Sequence, residues 1–221
     1  MKQLKNRLYT VSTLVPKGAR VADIGTDHGH LPIYLVQNGI CSVAIACDIK
    51  ESPLENAKEN IKKVGLSIET RLGAGLDPVS PNEVDCITIA GMGGEVISSI
   101  LEAAPWVKNP KYTLILQPMT SADSLRRWLC ENGFNIVSET ACEEKGKVYT
   151  VIKAAFCGEC FTPDETFCRM GKLVPHTTAA IKYTEKQIRI IVDCINDRRQ
   201  NGLDTAELER VLAQIEALLN L

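Results

Sequence analysis

No apolar run in this sequence is long enough to cross a membrane. The longest, at residues 43–47 and 86–90, are strand-sized, against the roughly 18 to 20 residues that a span requires. The N-terminus, MKQLKNRLYTVSTLV, lacks the unbroken apolar block of a secretory signal, because Lys2, Lys5 and Arg7 interrupt it. A cytoplasmic location is therefore expected. Internal repeats and low-complexity tracts are absent as well. A disulfide framework is equally hard to find. The nine cysteines are odd in number and scattered, and Cys41, Cys47, Cys86 and Cys194 sit inside apolar stretches, the pattern of core thiols in a reducing compartment. Only Cys157 and Cys160, followed by Cys168 and His176, have the ligand types of a zinc site. A second tight pair is missing, so a domain hinge that happens to hold thiols is expected there, and no metal.

The composition is that of an ordinary globular protein, with 221 residues, 45% hydrophobic and 24% charged. A chain of this length can bury roughly 70% of its unfolded surface without cross-links, which excludes disordered, collagen-like and purely coiled-coil classes. The net charge of −2 conceals an asymmetry: the first twenty residues carry Lys2, Lys5, Arg7, Lys17 and Arg20 and no acid. Such a segment suits a nucleic-acid partner, and it equally suits the solvated face of a helix.

Leu4, Leu8, Val11 and Leu14 recur at helical spacing until Pro16-Lys17-Gly18 breaks the pattern. Strands are predicted at 20–24, 43–48, 68–72, 85–90 and 112–117, with helices between them at 31–38, 52–64, 93–103 and 121–132. Each crossover must lay its apolar stripe on the sheet, so this alternation predicts a doubly wound, mostly parallel α/β domain. The next two predicted strands, 134–139 and 147–156, are joined by a run too short for anything but a hairpin, which makes one of them antiparallel. That ending is the arrangement of S-adenosylmethionine-dependent methyltransferases rather than of nicotinamide-binding domains. Beyond residue 160, two apolar rhythms at 172–199 and 208–219, separated by Asn201-Gly202, predict an antiparallel helical hairpin of coiled-coil character. The expected division is a catalytic domain at 1–160 and a helical domain at 161–221.

The stretch VADIGTDHGH ends the first strand, turns on Gly25 and Gly29 and enters a helix, a place where a backbone can approach a ligand closely. The G-x-G-x-x-G fingerprint of dinucleotide sites is missing, and Asp27 stands where its second glycine would fall. An acid there repels a pyrophosphate but suits a ligand carrying an ammonium and a sulfonium. Asp48, at the end of the second strand, is placed to accept hydrogen bonds from ribose hydroxyls. Gly73-Ala74-Gly75 follows the third strand, where close approach to an adenine is needed. Gly91-Met92-Gly93-Gly94 leaves room for a flat substrate after the fourth strand, and Gln117-Pro118-Met119 ends the fifth as an opposite wall.

Through VADIGTDHGHLP, ACDI, RLGAGL, DCITIAGMGG, LILQPM and the C-terminal hairpin, the sequence resembles the bacterial tRNA (adenine-22-N1)-methyltransferases, in order and from about Leu4 onward. The resemblance implies a class I methyltransferase fold with a seven-stranded sheet, S-adenosyl-L-methionine as cofactor and tRNA as partner. It implies that the loop Asp23, Gly25, Asp27 and Gly29, with Thr26, holds the methionine end, Asp48 with Ile49 the ribose side, Gly73, Ala74 and Gly75 the adenine, and Gly91 and Met92 the target base; Asp27 reads equally as a partner of the cofactor's ammonium and as a stabiliser of the base. Asp27, Met92 and Gln117 are the candidates for a direct part in methyl transfer. The chain departs from the family pattern at Ala74, where an acid is common, and at His30, where an aromatic is common. A non-catalytic RNA-binding scaffold and a methyltransferase for another acceptor are the alternatives. The Asn-Pro-Pro-aromatic motif of exocyclic-amine methyltransferases is absent, which disfavours amino-group acceptors. The hairpin reads either as an RNA-tracking arm, with Lys182, Lys186, Arg189, Arg198 and Arg199, or as a packing or dimerisation surface. A monomer is favoured.

Overall fold

Pro16, Lys17 and Gly18 end the first helix, α1 (Asn6–Leu14), and deliver the chain into strand β1 (Ala19–Ile24). In the computed structural model, which describes residues 4–219, the order continues α2 (His30–Gln37), β2 (Cys41–Asp48), α3 (Glu51–Lys63), β3 (Glu69–Leu72) and β4 (Cys86–Gly93). It then runs α4 (Gly94–Glu102), β5 (Thr113–Thr120), α5 (Ala122–Glu131), β6 (Phe134–Glu144) and β7 (Lys147–Phe156). Lys2, counted among the N-terminal bases, and residues 220–221 lie outside the described part.

The strands form one seven-stranded sheet in the order β3-β2-β1-β4-β5-β7-β6. β1 to β5 pair in parallel, and β7 runs antiparallel to both β5 and β6. Strand β6 is longer than its sequence suggests. The run 142–146 was expected to connect two strands, yet the turn uses only Lys145 and Gly146, with φ of 52° and 73°. Positive φ at both central positions is the two-residue turn whose twist matches that of the flanking strands.

Alternation along β2 sends Ala44 and Ala46 to one face and Ile45 and Cys47 to the other, the period-two rule of a pleated strand. On one face α1, α2 and α3 add Val11, Leu31, Leu35 and Ile61 to the core. On the other, α4 and α5 contribute Ile97, Leu101, Leu125 and Leu129. Each such burial stabilises the fold by about 1.5–3 kcal/mol. Both layers leave the carboxyl ends of the parallel strands free to form a site.

The C-terminal segment differs from expectation at its start. Gly171 and Pro175 interrupt the apolar rhythm, so a short helix α6 (Glu165–Met170) precedes the long α7 (Thr178–Gln200), and α8 (Ala206–Leu218) returns along it. Asp164 caps α6 by accepting from the Phe167 N–H at 2.7 Å, and Thr177 caps α7 by accepting from the Ala180 N–H at 3.2 Å. Met170, Tyr183, Ile191, Ile195, Val211 and Ile215 form a third core that includes Ala141 of β6 and Val148 of β7. The hairpin thus shares its apolar interior with the antiparallel edge of the sheet.

Candidate active site

The loop after β1 is built from backbone turns rather than from side chains. Gly25, Asp27 and Gly29 all take positive φ, at 73°, 50° and 69°, and the N–H groups of Gly25 and Thr26 both donate to the Cys47 carbonyl at 2.9 Å. These bonds pin the loop to the end of β2. A Cβ on Gly29 would stand 3.2 Å from that of Ala57 in α3, so this glycine serves helix packing and does not itself line the cavity described below.

Asp23 is the most unusual group. It is buried, and its two carboxylate oxygens accept from the hydroxyls of Thr26 at 2.8 Å and Thr88 at 2.7 Å. Burial pushes its pKa up to about 6, the two hydroxyls oppose that rise, and the negative charge of Asp48 adds to it. Asp27, by contrast, exposes its carboxylate, which lies 3.7 Å from the His28 Nε2. The His28 and His30 rings stack with centroids 5.4 Å apart. Asp48 ties the neighbouring turn together, its carboxylate accepting from the Lys50 N–H at 2.9 Å and the Asp27 N–H at 3.4 Å.

On the other side, β4 bulges at Gly91, whose φ is +87°. The Gln117 side chain, fully buried, holds this bulge: its Oε1 accepts from the Gly91 N–H at 3.1 Å and from Arg7 Nη1 at 2.6 Å, while its Nε2 donates to the Pro118 carbonyl at 2.7 Å. Arg7 also lies 3.8 Å from Glu144 through its Nε and donates its backbone N–H to the same carboxylate at 3.3 Å. Gln117 thus anchors the Gly91 bulge. The side chain of Met92 folds across Gly25, into the space a Cβ there would need.

A cavity of about 820 Å³ opens between α1, α2 and these turns, and Arg7, Asp23, Thr26, Asp27, His28 and Gly91 line it. Asp48, Ile49 and Gly73 to Gly75 stand outside it, along the same strand ends on the β3 side. Ile49 presents an apolar side chain that is 65% exposed beside the Asp48 carboxylate, a surface suited to the face of an aromatic base. Gly73 donates its N–H to the Asp48 carbonyl at 3.0 Å. Both outer glycines of Gly73-Ala74-Gly75 are also needed for packing: a Cβ on Gly73 would lie 2.9 Å from Pro78, and one on Gly75 3.1 Å from Ile100. Ala74 and Gly75 edge a separate groove of about 360 Å³ against α4.

Sequence reasoning missed three members of this arrangement. Arg7 was counted among the bases of a helix face, and nothing in its spacing distinguishes it. Glu144 lay in a run taken for a connection. Thr88 did leave a signal, as the single hydroxyl inside the apolar run 86–90. Cys157 and Cys160 are exposed and Cys168 is buried. Among the described residues no cluster of three or more His, Cys, Asp or Glu side chains is arranged to hold a metal ion.

A parallel sheet closed by one reversed strand, with a glycine turn after β1 and a carboxylate at the end of β2, defines a class I methyltransferase. Residues 4–152 match the methyltransferase domain family. The tRNA (adenine(22)-N(1))-methyltransferase of Bacillus subtilis is 44% identical over 154 residues, which is 69% of this chain; the match spans 65% of that enzyme's length. The crystal structure of the B. subtilis m1A22 tRNA methyltransferase TrmK superposes with a TM-score of 0.81 at 33% identity, covering 100% of this chain and 98% of that one. A Streptococcus pneumoniae relative in complex with S-adenosyl-L-methionine gives 0.80 at 32% identity, covering 93% and 98%. The chain belongs to the TrmK-like family of methyltransferases.

Proposed function

We propose that this chain transfers a methyl group from S-adenosyl-L-methionine to nitrogen 1 of the adenine at position 22 of tRNA. The observation that carries it is the placing of Asp23 and Asp27 with Gly91 around one cavity of about 820 Å³. Carboxylates at this turn repel a pyrophosphate and attract an ammonium and a sulfonium. The cofactor supplies a methyl group already activated by its positive sulfur. Asp23 and the Gly25–Thr26 backbone hold the methionine end, Asp48 accepts from the ribose hydroxyls, and Ile49 with the Gly73-Ala74-Gly75 turn covers the adenine.

The acceptor nitrogen carries a lone pair and no proton, so the chain needs no strong general base. Its work is to unstack the base, hold it in line and exclude water, an advantage of about 7–11 kcal/mol when geometry is fixed in advance. Gly91, positioned by Gln117, leaves room for the flat ring, and Met92 closes over it. Positive charge grows on the adenine as the bond forms, and the exposed carboxylate of Asp27 favours that charge. The segment 161–221 is the RNA-facing domain in this scheme, packed on the antiparallel edge of the sheet, although Lys182 is engaged by Glu143 at 2.7 Å. The nine free thiols agree with a cytoplasmic enzyme, and we take it to act as a monomer. Incubation with unmodified bacterial tRNA and labelled cofactor, then nuclease digestion and mass spectrometry, tests the proposal. 1-Methyladenosine at position 22 is expected, and methyl on any other atom refutes the acceptor assignment.

A further inference from the structure

Beyond the cradle, a second and smaller cavity of about 150 Å³ lies between the turn from β5 to α5 and the flank of α7. It belongs to the same edge of the sheet, since Gln117, which holds the Gly91 N–H, leads directly into its wall at Pro118, Met119 and Thr120. Thr150 and Tyr183 in its lining donate to Glu139 and to the Arg169 carbonyl, but other donors there have no acceptor among the described residues. Gln187 of α7 is only 9% exposed and faces the cavity, yet its side-chain amide makes no hydrogen bond among the described residues. Arg169 spends Nη2 on Glu165 at 2.9 Å, but its Nε is buried without a hydrogen-bond partner. Lys186 reaches the cavity and makes no ion pair among the described residues, unlike Lys182 one turn earlier, which is held by Glu143. The first turn of α5 has no capping side chain either, because Ser121, at φ 51°, turns away from that role.

Uncapped helix N–H groups, a guanidinium, an ammonium and a free amide together describe an acceptor-rich anion, and a phosphate group fits the space. Asp123 is the one acid in the wall, against two cations. We propose that this cavity binds a backbone phosphate of the RNA whose target base enters at Gly91, an inference that rests on the tRNA-methylation reading above. An enzyme that extrudes a base must grip the backbone beside it. The cavity offers that grip one strand away from the acceptor wall, where the helical hairpin meets the catalytic sheet. On this view only Lys186 among the hairpin's first three cations serves the reacting nucleotide directly. Lys182 is tied to Glu143, and Arg189 is exposed away from the cavity.

Steady-state methylation of unmodified tRNA by the full chain and by Lys186→Ala and Gln187→Glu tests this. The glutamate matches glutamine in shape, so its effect is one of charge. Both variants should raise KM for tRNA about tenfold, with kcat and the KM for S-adenosyl-L-methionine unchanged. In Lys186→Ala the slope of log KM against log salt should flatten by about 0.7. Inorganic phosphate should compete with tRNA in the wild type and lose that effect in the variants. Unchanged tRNA KM and salt slope in both variants overturn the proposal. So does phosphate binding that the variants abolish without any change in tRNA KM, which marks a free-anion site. If the wild type neither binds nor methylates tRNA, the functional reading itself falls and this one with it, an outcome distinct from an active wild type with indifferent variants.

Discussion

Among the charged side chains buried in the described residues, Asp23 and Arg126 are stabilised in opposite ways. Asp23 lines the cavity, its carboxylate accepts from the hydroxyls of Thr26 and Thr88, and burial lifts its pKa to about 6. Arg126 of α5, wholly buried, meets a full counter-charge: Glu139 accepts from its Nε and Nη2 at 3.1 and 2.9 Å, and both side chains are 0% exposed. Burial opposes the charge of Arg126, but Glu139 and Tyr183 outweigh it and hold the guanidinium more firmly protonated than usual. Its Nη1 donates to the carbonyls of Cys168 and Arg169 at 2.8 and 2.9 Å, and Glu139 also accepts from Thr150 and from the Lys172 N–H. The paired charge is a clasp that fastens the hairpin to the sheet. The other has no counter-charge among its hydrogen-bond partners and lines a cavity.

The largest expected effect comes from breaking the clasp. Arg126→Met leaves Glu139 buried and uncompensated, and should cost about 3–5 kcal/mol in urea or thermal unfolding, read by circular dichroism. A loss under 1 kcal/mol means the pair is not the fastening described. Next comes Asp48→Ala, which removes the carboxylate that bridges two turns and that is proposed to hold the ribose. Cofactor Kd should rise about tenfold to a hundredfold by titration calorimetry, and an unchanged Kd moves the ribose site elsewhere.

Asp23 gives a pH signature of defined sign. Between 3.8 and about 6 the unfolded chain has released this proton while the folded chain retains it, so stability falls as pH rises through that window. The stability difference between wild type and Asp23→Asn should carry that slope and level off above about pH 6. Cofactor affinity should run the other way in the wild type, weakening as pH drops through about 6 and the carboxylate is neutralised; a flat profile contradicts the assigned role. The smallest effect is expected at Asp27, whose carboxylate is exposed to water. Asp27→Asn should lower kcat several-fold with KM for tRNA little changed. If cofactor KM shifts and kcat does not, Asp27 holds the ammonium and not the acceptor base.

The fold was largely legible because its signals are local. Apolar runs at 43–47 and 86–90, alternating with helical stretches, and the glycines between strand and helix dictate a parallel sheet, and the short link before Lys147 forces a reversed strand. The positions of Asp23, Gly25, Asp27 and Asp48 could be read for the same reason, since all four stand at or just beyond the ends of β1 and β2. Contacts between distant segments were not legible. Arg126 stands among polar residues of an amphipathic helix, and arginine at such a position is normally solvated. Its burial follows only once Glu139 and the chain at Cys168 and Arg169 arrive from the other side. Arg7 reaches Gln117 across 110 positions of sequence. Gly73 and Gly75 show the converse, where a pattern suggesting ligand approach also answers to packing against Pro78 and Ile100.

The central claim is that a turn bearing carboxylates where a dinucleotide site bears glycine was built for a cationic donor. Titration calorimetry of the intact chain at pH 7.5 against S-adenosyl-L-methionine and, separately, against NAD measures it most directly. Saturable binding of the first, weakened by Asp48→Ala, with no heat from the second, is the predicted result. Binding of NAD with no response to S-adenosyl-L-methionine contradicts it.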